Sequence, residues 1–161
     1  MEEQEVNTEH LHELIHEHGH QISWAEKVGL TTALLAMLAA VSNLLSTHEA
    51  DRAIQAKIEA SDRWSYYQAK SIKGIVTPDP AEKARYKNEQ EEIRKEAEEQ
   101  TRESKHATHI HEFFAYAVTI FQVATAIGAI AVLVQKKSFW YTSLALGLIG
   151  VGLAIKAFLL F

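Results

Sequence analysis

Five histidines lie close together near the start of the chain, interleaved with glutamates: His10, His12, His16, His18 and His20. If this segment is helical, His12, His16 and His20 fall at successive steps of four residues and share one face. Neutral imidazole binds Zn²⁺ and Ni²⁺, and the neighbouring carboxylates raise the local cation concentration. The pattern indicates a zinc or nickel site. Its alternative is a disordered polar tail that binds metal adventitiously.

The same segment contains the letters HELIH, which match the H-E-x-x-H pattern of zinc proteases at His12 and His16. A protease site also needs a third ligand, an oxyanion partner and a cleft that excludes water. No domain surrounds this match, and histidines scattered among glutamates produce it easily by chance. The chain contains no cysteine, which excludes thiolate nucleophiles and disulfides. We therefore predict that the protein is not an enzyme.

A second set of histidines consists of His48, His106, His109 and His111. In a helical hairpin these four residues come to a similar depth at one membrane surface. Together with Glu49 and Glu112 they indicate an interfacial cation or proton site. The alternative is that polar boundary positions simply tolerate histidine.

Apolar and charged residues are segregated along the rest of the chain. Three largely apolar segments span 22–46, 113–134 and 139–161. Each has about the 20 residues that a helix needs to cross a bilayer. Tryptophan, tyrosine and phenylalanine lie near their ends, as they do at membrane interfaces. The sequence therefore predicts an all-α integral membrane protein with three transmembrane helices.

The segment between the first two spans, 47–112, holds 12 basic and 14 acidic side chains and is nearly neutral. A nucleic-acid partner would require a strongly basic face, so we expect none. The segment reads as two helices separated at 77–80, where two prolines disfavour helix. We predict a long extramembrane antiparallel helical hairpin with its turn at 77–80. An acidic, His-rich tail over 1–21 precedes the first span.

Each hairpin helix carries an apolar stripe, and we expect the two stripes to face each other. The first comprises Ile54, Ile58, Ser61, Ser65, Gln68, Ile72 and Ile75, and the thinner second comprises Tyr86, Ile93, Ala97, Ala107 and Ile110. Polar residues interrupt both stripes, so a neighbouring copy or a partner is expected to cover the aromatic residues beside them. Trp64, Tyr66 and Tyr67 are therefore the predicted interaction residues.

Small residues inside the apolar segments allow helices to approach closely. They are Ala36, Ala40, Ala124, Gly128, Gly147, Gly150 and Gly152. They serve either the packing of three spans within one chain or the association of several chains. We predict a homo-oligomer or a subunit of a larger membrane complex, with the lipid bilayer as its other partner.

Lys27, Lys136 and Lys137 lie on the N-terminal side of the predicted membrane. By the positive-inside rule, this places the N-terminus in the cytoplasm and the hairpin outside a bacterial inner membrane. Arg52 and Lys105, near the opposite boundary, favour the reverse orientation. The first 26 residues contain no lysine or arginine, so we expect the first span to be a retained anchor rather than a cleaved signal.

Several segments in this order resemble a known family: the Glu/His-rich start, SDRWSYYQAKSIK, KARYKNEQEEIRKEA and FFAYAVTIFQVATAIGAIAVL. The chain is similar over nearly its whole length to the bacterial membrane proteins grouped as domain of unknown function 4337. Trp64–Lys70 is the most specific part of the likeness. The resemblance implies a small inner-membrane protein with three spans and no established activity, so it assigns no site residues.

Two functions remain open from the sequence. The first is a non-enzymatic membrane scaffold or accessory subunit that self-associates or docks through its hairpin. The second is a cation-handling membrane protein, either a His-rich metal sensor or buffer or an oligomeric channel. The first rests on the aromatic residues of the hairpin that its own helices are not expected to cover, and the second rests on the two histidine sets.

Overall fold

The computed structural model describes residues 23–161 and contains three helices and no strand in that range. Helix α1 is Trp24–Val76, α2 is Pro80–Val134 and α3 is Lys137–Leu160. The all-α prediction is confirmed for these residues. By length and composition, each helix contains a stretch apolar enough to cross a membrane. The predicted histidine site at His10–His20 lies outside the described residues.

The helix ends are defined by local hydrogen bonds. The Ser23 hydroxyl accepts from the Glu26 amide, and the Glu26 carboxylate accepts from the Ser23 amide, which closes a capping box before α1. Asp79 caps α2 by accepting from the Ala81 N–H at 2.9 Å. Pro80 is the first residue of α2, where a missing N–H costs nothing. The hairpin turn is therefore 77–79, one residue shorter than predicted.

Helices α1 and α2 pack antiparallel from the apolar segments to the turn. Ser46 on α1 contacts His111 on α2, and nearer the turn Lys70 on α1 contacts Glu89 on α2. Residue numbers therefore rise along α1 as they fall along α2. The seam on α1 is formed mainly by small residues at steps of three and four: Leu35, Ala39, Ser42, Ser46, Glu49, Ala53, Ala56 and Ala60. The seam on α2 includes Ile93, Ala97, Ser104, Ala107 and Ile110. The hairpin is thus closed by two complementary stripes.

The predicted stripe of α2 is confirmed at four of its positions, but the predicted stripe of α1 is wrong. Ile54, Ile58, Ile72 and Ile75 are exposed, and the α1 seam lies roughly a third of a turn away. The physical reason is close approach. The Ser104 hydroxyl donates to the backbone carbonyl of Ala53 at 2.9 Å, which requires the helices to lie nearer than isoleucines would allow.

Helix α3 lies antiparallel against the apolar part of α2 and makes few contacts with α1. A Cβ at Gly150 would lie 2.8 Å from the Phe121 ring, and one at Gly147 would lie 2.7 Å from Leu35. The Ser143 hydroxyl donates to the Ala124 carbonyl at 2.7 Å. Packing within one chain therefore uses most of the small residues in these segments. Gly152, Ala36 and Ala40 remain exposed.

Candidate functional site

A carboxylate is fully buried in the hairpin seam where α1 leaves its apolar segment. The Glu49 side chain has no exposed surface, and Arg52 Nη1 lies 3.3 Å from one of its oxygens and 3.4 Å from the other. Arg52 also reaches Glu103 on α2 at 3.3 Å. The Glu49 charge raises the pKa of Arg52, with a further contribution from its hydrogen bond to Glu103. Arg52 therefore neutralises a buried charge and joins α1 to α2.

His111 forms the second polar contact at this level. Its Nδ1 lies 2.8 Å from the Ser46 carbonyl oxygen and 2.9 Å from the Ser46 hydroxyl. A carbonyl only accepts, so this short contact places the ring proton on Nδ1. The Ser46 hydroxyl in turn donates to the His111 carbonyl at 3.3 Å. His111 is thus engaged in closing the hairpin.

The other predicted boundary histidines are separate from His111. His48 is exposed, with Nδ1 3.2 Å from Glu49. His109 is exposed and packs edge-on against Phe113 at a centroid distance of 5.0 Å, and His106 is also exposed. Within 23–161 there is no group of three or more His, Asp or Glu side chains able to hold a metal ion. The metal-binding form of the cation-handling function therefore rests on the N-terminal histidines, which lie outside the described residues, and both this form and the oligomeric channel stay predictions.

The predicted aromatic residues divide between two environments near the hairpin turn. Trp64 and Tyr67 are half-buried and meet edge to face, with ring centroids 5.6 Å apart. Tyr66 lies on the outer side of α1 and is exposed. The three aromatics therefore do not form one continuous surface on the hairpin.

Lys70 connects the aromatic segment to α2. Its ammonium lies 5.2 Å from the Tyr66 ring centroid and 5.3 Å from that of Tyr86, and it pairs with Glu89. The hydrogen bond from Lys70 lowers the pKa of Glu89, outweighing the opposite effect of burial. The same hydrogen bond is the main cause of a raised Lys70 pKa. Lys70 is therefore a structural clamp near the tip of the hairpin.

The largest unexplained feature of the hairpin is the exposed stripe of α1, which we call the bare face. It comprises Ile54, Ile58, Ser61, Ser65, Gln68, Ile72 and Ile75. Ile54 and Ile58 are each 56% exposed, and Ile75 is 75% exposed. Most of these residues fall within an arc of about 60° on the helix. The sequence contained a signal for this arrangement, because Ala53, Ala56 and Ala60 form a second periodic stripe on the same helix.

Comparison with known proteins identifies one family. The sequence model described as Domain of unknown function (DUF4337) matches residues 24–79 and 78–160. These two matches include all three helices and overlap at the hairpin turn. No curated protein matches the chain, and no solved structure matches it.

Proposed function

This chain belongs to the DUF4337 family, and we propose that it is a non-enzymatic membrane scaffold. In this proposal three spans anchor a helical stalk, residues 47–112, which self-associates or docks on a larger membrane complex. The N-terminus is cytoplasmic and the stalk projects outside the inner membrane of a bacterium. The bare face on the stalk is the observation that carries the proposal.

Exposed apolar side chains support the membrane part of the proposal. Large apolar residues point outward on the apolar segments of all three helices, among them Leu44, Leu133 and Leu148. Contiguous apolar surface of this kind is rare on soluble monomers. A bilayer would cover it, because each helix contains a stretch long enough to cross the hydrocarbon core.

The bare face supports the docking part of the proposal. Beyond the membrane its isoleucines would meet water, and burying the remaining exposed surface of one such side chain contributes about 1–2 kcal/mol. The seam of the hairpin is already closed by small residues, so no rearrangement within the hairpin is needed to expose or cover this face. A partner on the bare face therefore gains apolar contact without opening the stalk.

The experiment compares assembly of the wild type with that of the triple variant Ile54→Ser, Ile58→Ser, Ile72→Ser. Mass is measured by light scattering with detergent correction. We expect the wild type to be an assembly and the variant to be largely monomeric, with unchanged helical content by circular dichroism. The control variant Glu59→Ser, Lys73→Ser alters exposed residues on another face of α1 and should assemble normally.

Two results would contradict the proposal: a wild type that is monomeric at all concentrations without a co-purifying partner, or full assembly of the triple isoleucine variant. A second variant, with Trp64, Tyr66 and Tyr67 changed to Ser, tests the predicted aromatic contact separately. We expect a smaller loss of assembly in this variant, because Trp64 and Tyr67 already bury part of their surface against each other.

A further inference from the structure

We propose that the bare face of α1 is covered by the same face of α1 from a second copy of this chain. The contact is parallel, in register and two-fold symmetric, and it extends from the apolar segment into the stalk. The inference rests on the proposed scaffold function and names its partner. Four observations support it: the bare face continues into the apolar segment, its residues are compatible with a two-fold contact, opposite charges lie along its edges, and Asn43 and Gly29 lie on its continuation.

The bare face does not end at the base of the stalk. It continues into the apolar segment at steps of three and four residues through Ala50, Thr47, Asn43, Ala40, Ala36, Ala33 and Gly29. All of these residues are exposed except Ala50, which is half-buried. Helix α3 meets α1 on a different side, at Thr31 and Leu35. Within residues 23–161, one uninterrupted face is therefore left uncovered along most of α1.

Two copies inserted in the same orientation hold their α1 helices parallel. In a two-fold parallel contact, each residue at the centre of the face meets the same residue of the other copy. Such a face must be self-complementary and must not place like charges opposite each other. The bare face and its continuation contain only apolar, small and uncharged polar residues, and the two steps of four that join Ile58, Ile54 and Ala50 place the exposed Asp51 beside the face rather than at its centre.

The edges of the bare face carry opposite charges at matching positions. If Ile58 and Ile54 are the a and d positions of a heptad, Lys57 is a g position and Asp62 is the following e position. In parallel dimers a g residue approaches the e residue five positions further along the other helix. Lys57 of each copy thus meets Asp62 of the other. Among the described residues, neither forms an ion pair within its own chain.

Asn43 provides a polar contact within the apolar segment. Its side chain is exposed, and within residues 23–161 only its backbone carbonyl takes part in a hydrogen bond that involves a side chain. An amide facing hydrocarbon is left without partners, whereas Asn43 of a second copy supplies both a donor and an acceptor. An asparagine at a self-facing position also favours a single register.

Gly29 is explained by the same contact. Among residues 23–161, a Cβ at Gly29 would meet nothing within 4 Å, whereas a Cβ at Gly128 would lie 2.7 Å from Thr32. Packing within the chain therefore requires the small size of Gly128 but not that of Gly29. At the continuation of the bare face, a glycine allows two α1 helices to approach closely.

The test is disulfide cross-linking in membranes, which the chain suits because it contains no native cysteine. Ser61→Cys and Ser65→Cys place a thiol on the bare face, and Glu59→Cys is the exposed control on another side of α1. After mild oxidation we expect covalent dimers for Ser61→Cys and Ser65→Cys and none above background for Glu59→Cys. Each variant is examined in the full-length, membrane-inserted protein.

Charge exchange then tests the register. In the Ser61→Cys background, Lys57→Asp or Asp62→Lys alone places like charges opposite each other. We expect the cross-linking yield to fall about fivefold, in line with two solvent-exposed pairs made repulsive. The double variant carrying both changes restores opposite charges and should recover the yield. Reduced yield without recovery in the double variant would overturn the parallel, in-register contact.

Failure of this inference is distinguishable from failure of the scaffold function. Absence of cross-links together with a monomeric mass contradicts both. An assembled mass with cross-links at Glu59→Cys but not at Ser61→Cys or Ser65→Cys contradicts only the α1 contact, and the stalk then binds through another face. Strong cross-links at both serine positions with recovery in the double variant support the contact.

Discussion

In the apolar half of the molecule three helices pack against one another, whereas in the charged stalk two helices do so. In the apolar half, α3 lies on α2, and Phe121 is fully buried among side chains that include Leu35 and Leu146. In the stalk the described residues form only α1 and α2, and the seam between these helices is lined by small residues such as Ala53 and Ala97. Glycine and alanine permit close contact in both halves, but a two-helix stalk has far less interior.

This difference indicates where the proposed partner would bind. Outward leucines in the apolar half meet lipid in the proposed membrane, so their exposure has a simple explanation. Outward isoleucines in the stalk have no such environment, and residues 23–161 supply no third element that covers them. The bare face is therefore a consequence of closing the stalk with alanines rather than with the larger residues available on the same helix.

The largest effect is expected from adding bulk where three helices meet. Gly150→Val should lower the free energy of unfolding by about 3 kcal/mol, the upper end for overpacking, because a Cβ at this position would lie 2.8 Å from the buried Phe121 ring. Gly152→Val is the matched control on the same helix, since a Cβ there meets nothing within 4 Å in the described part of the chain. The measurement is thermal unfolding in detergent.

Equal tolerance of valine at these two positions would show that α3 does not pack as described. It would also remove the contrast between a three-helix apolar half and a two-helix stalk. A loss confined to Gly150→Val sharpens that contrast, because the two variants have the same composition and differ only in which face of α3 carries the side chain.

A smaller loss of unfolding free energy is expected from removing the partner of the buried Glu49 carboxylate at the base of the stalk. Removing one partner of a fully buried ion pair costs about 3–5 kcal/mol. Arg52 is 42% exposed, so solvent screens its contact with Glu49, and we expect Arg52→Gln to cost about 1–2 kcal/mol. The control is Arg63→Gln, which breaks the exposed pair with Glu96 and should cost less than about 1 kcal/mol.

Chemical denaturation followed by circular dichroism measures both arginine variants against the wild type. If Arg52→Gln and Arg63→Gln cost the same, Glu49 is hydrated in solution and the base of the stalk is no better packed than its exposed sides. A further variant with both Glu49→Gln and Arg52→Gln removes the buried charge itself and should recover part of the loss.

The smallest effect is expected near the stalk tip, from protonation of Glu89. Its pKa lies below the ordinary value of 4.5, first because Lys70 donates a hydrogen bond to it, with further contributions from the charges of Lys70, Arg85 and Lys73. A lowered pKa means that the pair stabilises the hairpin at pH values above the ordinary one. That stabilisation is lost as the pH falls through the lowered pKa.

Carboxyl NMR titration of Glu89 checks this prediction. In Lys70→Met the Glu89 pKa should rise towards its ordinary value, and the amide protection factors near the turn should no longer fall as Glu89 is protonated. Lys57→Met, which removes an exposed charge on the same helix, should leave the Glu89 pKa unchanged. If the Glu89 pKa is the same in the wild type and in Lys70→Met, the two helices are separated near the turn in solution and are paired only nearer the apolar segments.

Much of the fold could be predicted from the residues alone. Segregation of apolar from charged residues, two prolines near 77–80 and long runs without helix breakers predict three helices, two of them continuous from apolar segment to turn.

The boundary histidines show the limit of such reasoning. His48 and His111 lie at a similar position along the length of the hairpin, but they lie on different faces of their helices. A similar position along the hairpin is therefore not enough to bring two side chains into contact.

The sequence by itself determined the helices, because helix formation depends on local composition, breakers and caps such as Ser23 and Asp79. It did not determine which side of α1 meets α2, since Ile54 and Ala53 each belong to a periodic stripe. Only the tertiary structure decided this, because the outcome depends on how closely two backbones can approach. Alanines and the Ser104–Ala53 hydrogen bond favour the nearer approach, and that choice leaves the isoleucines on the outside.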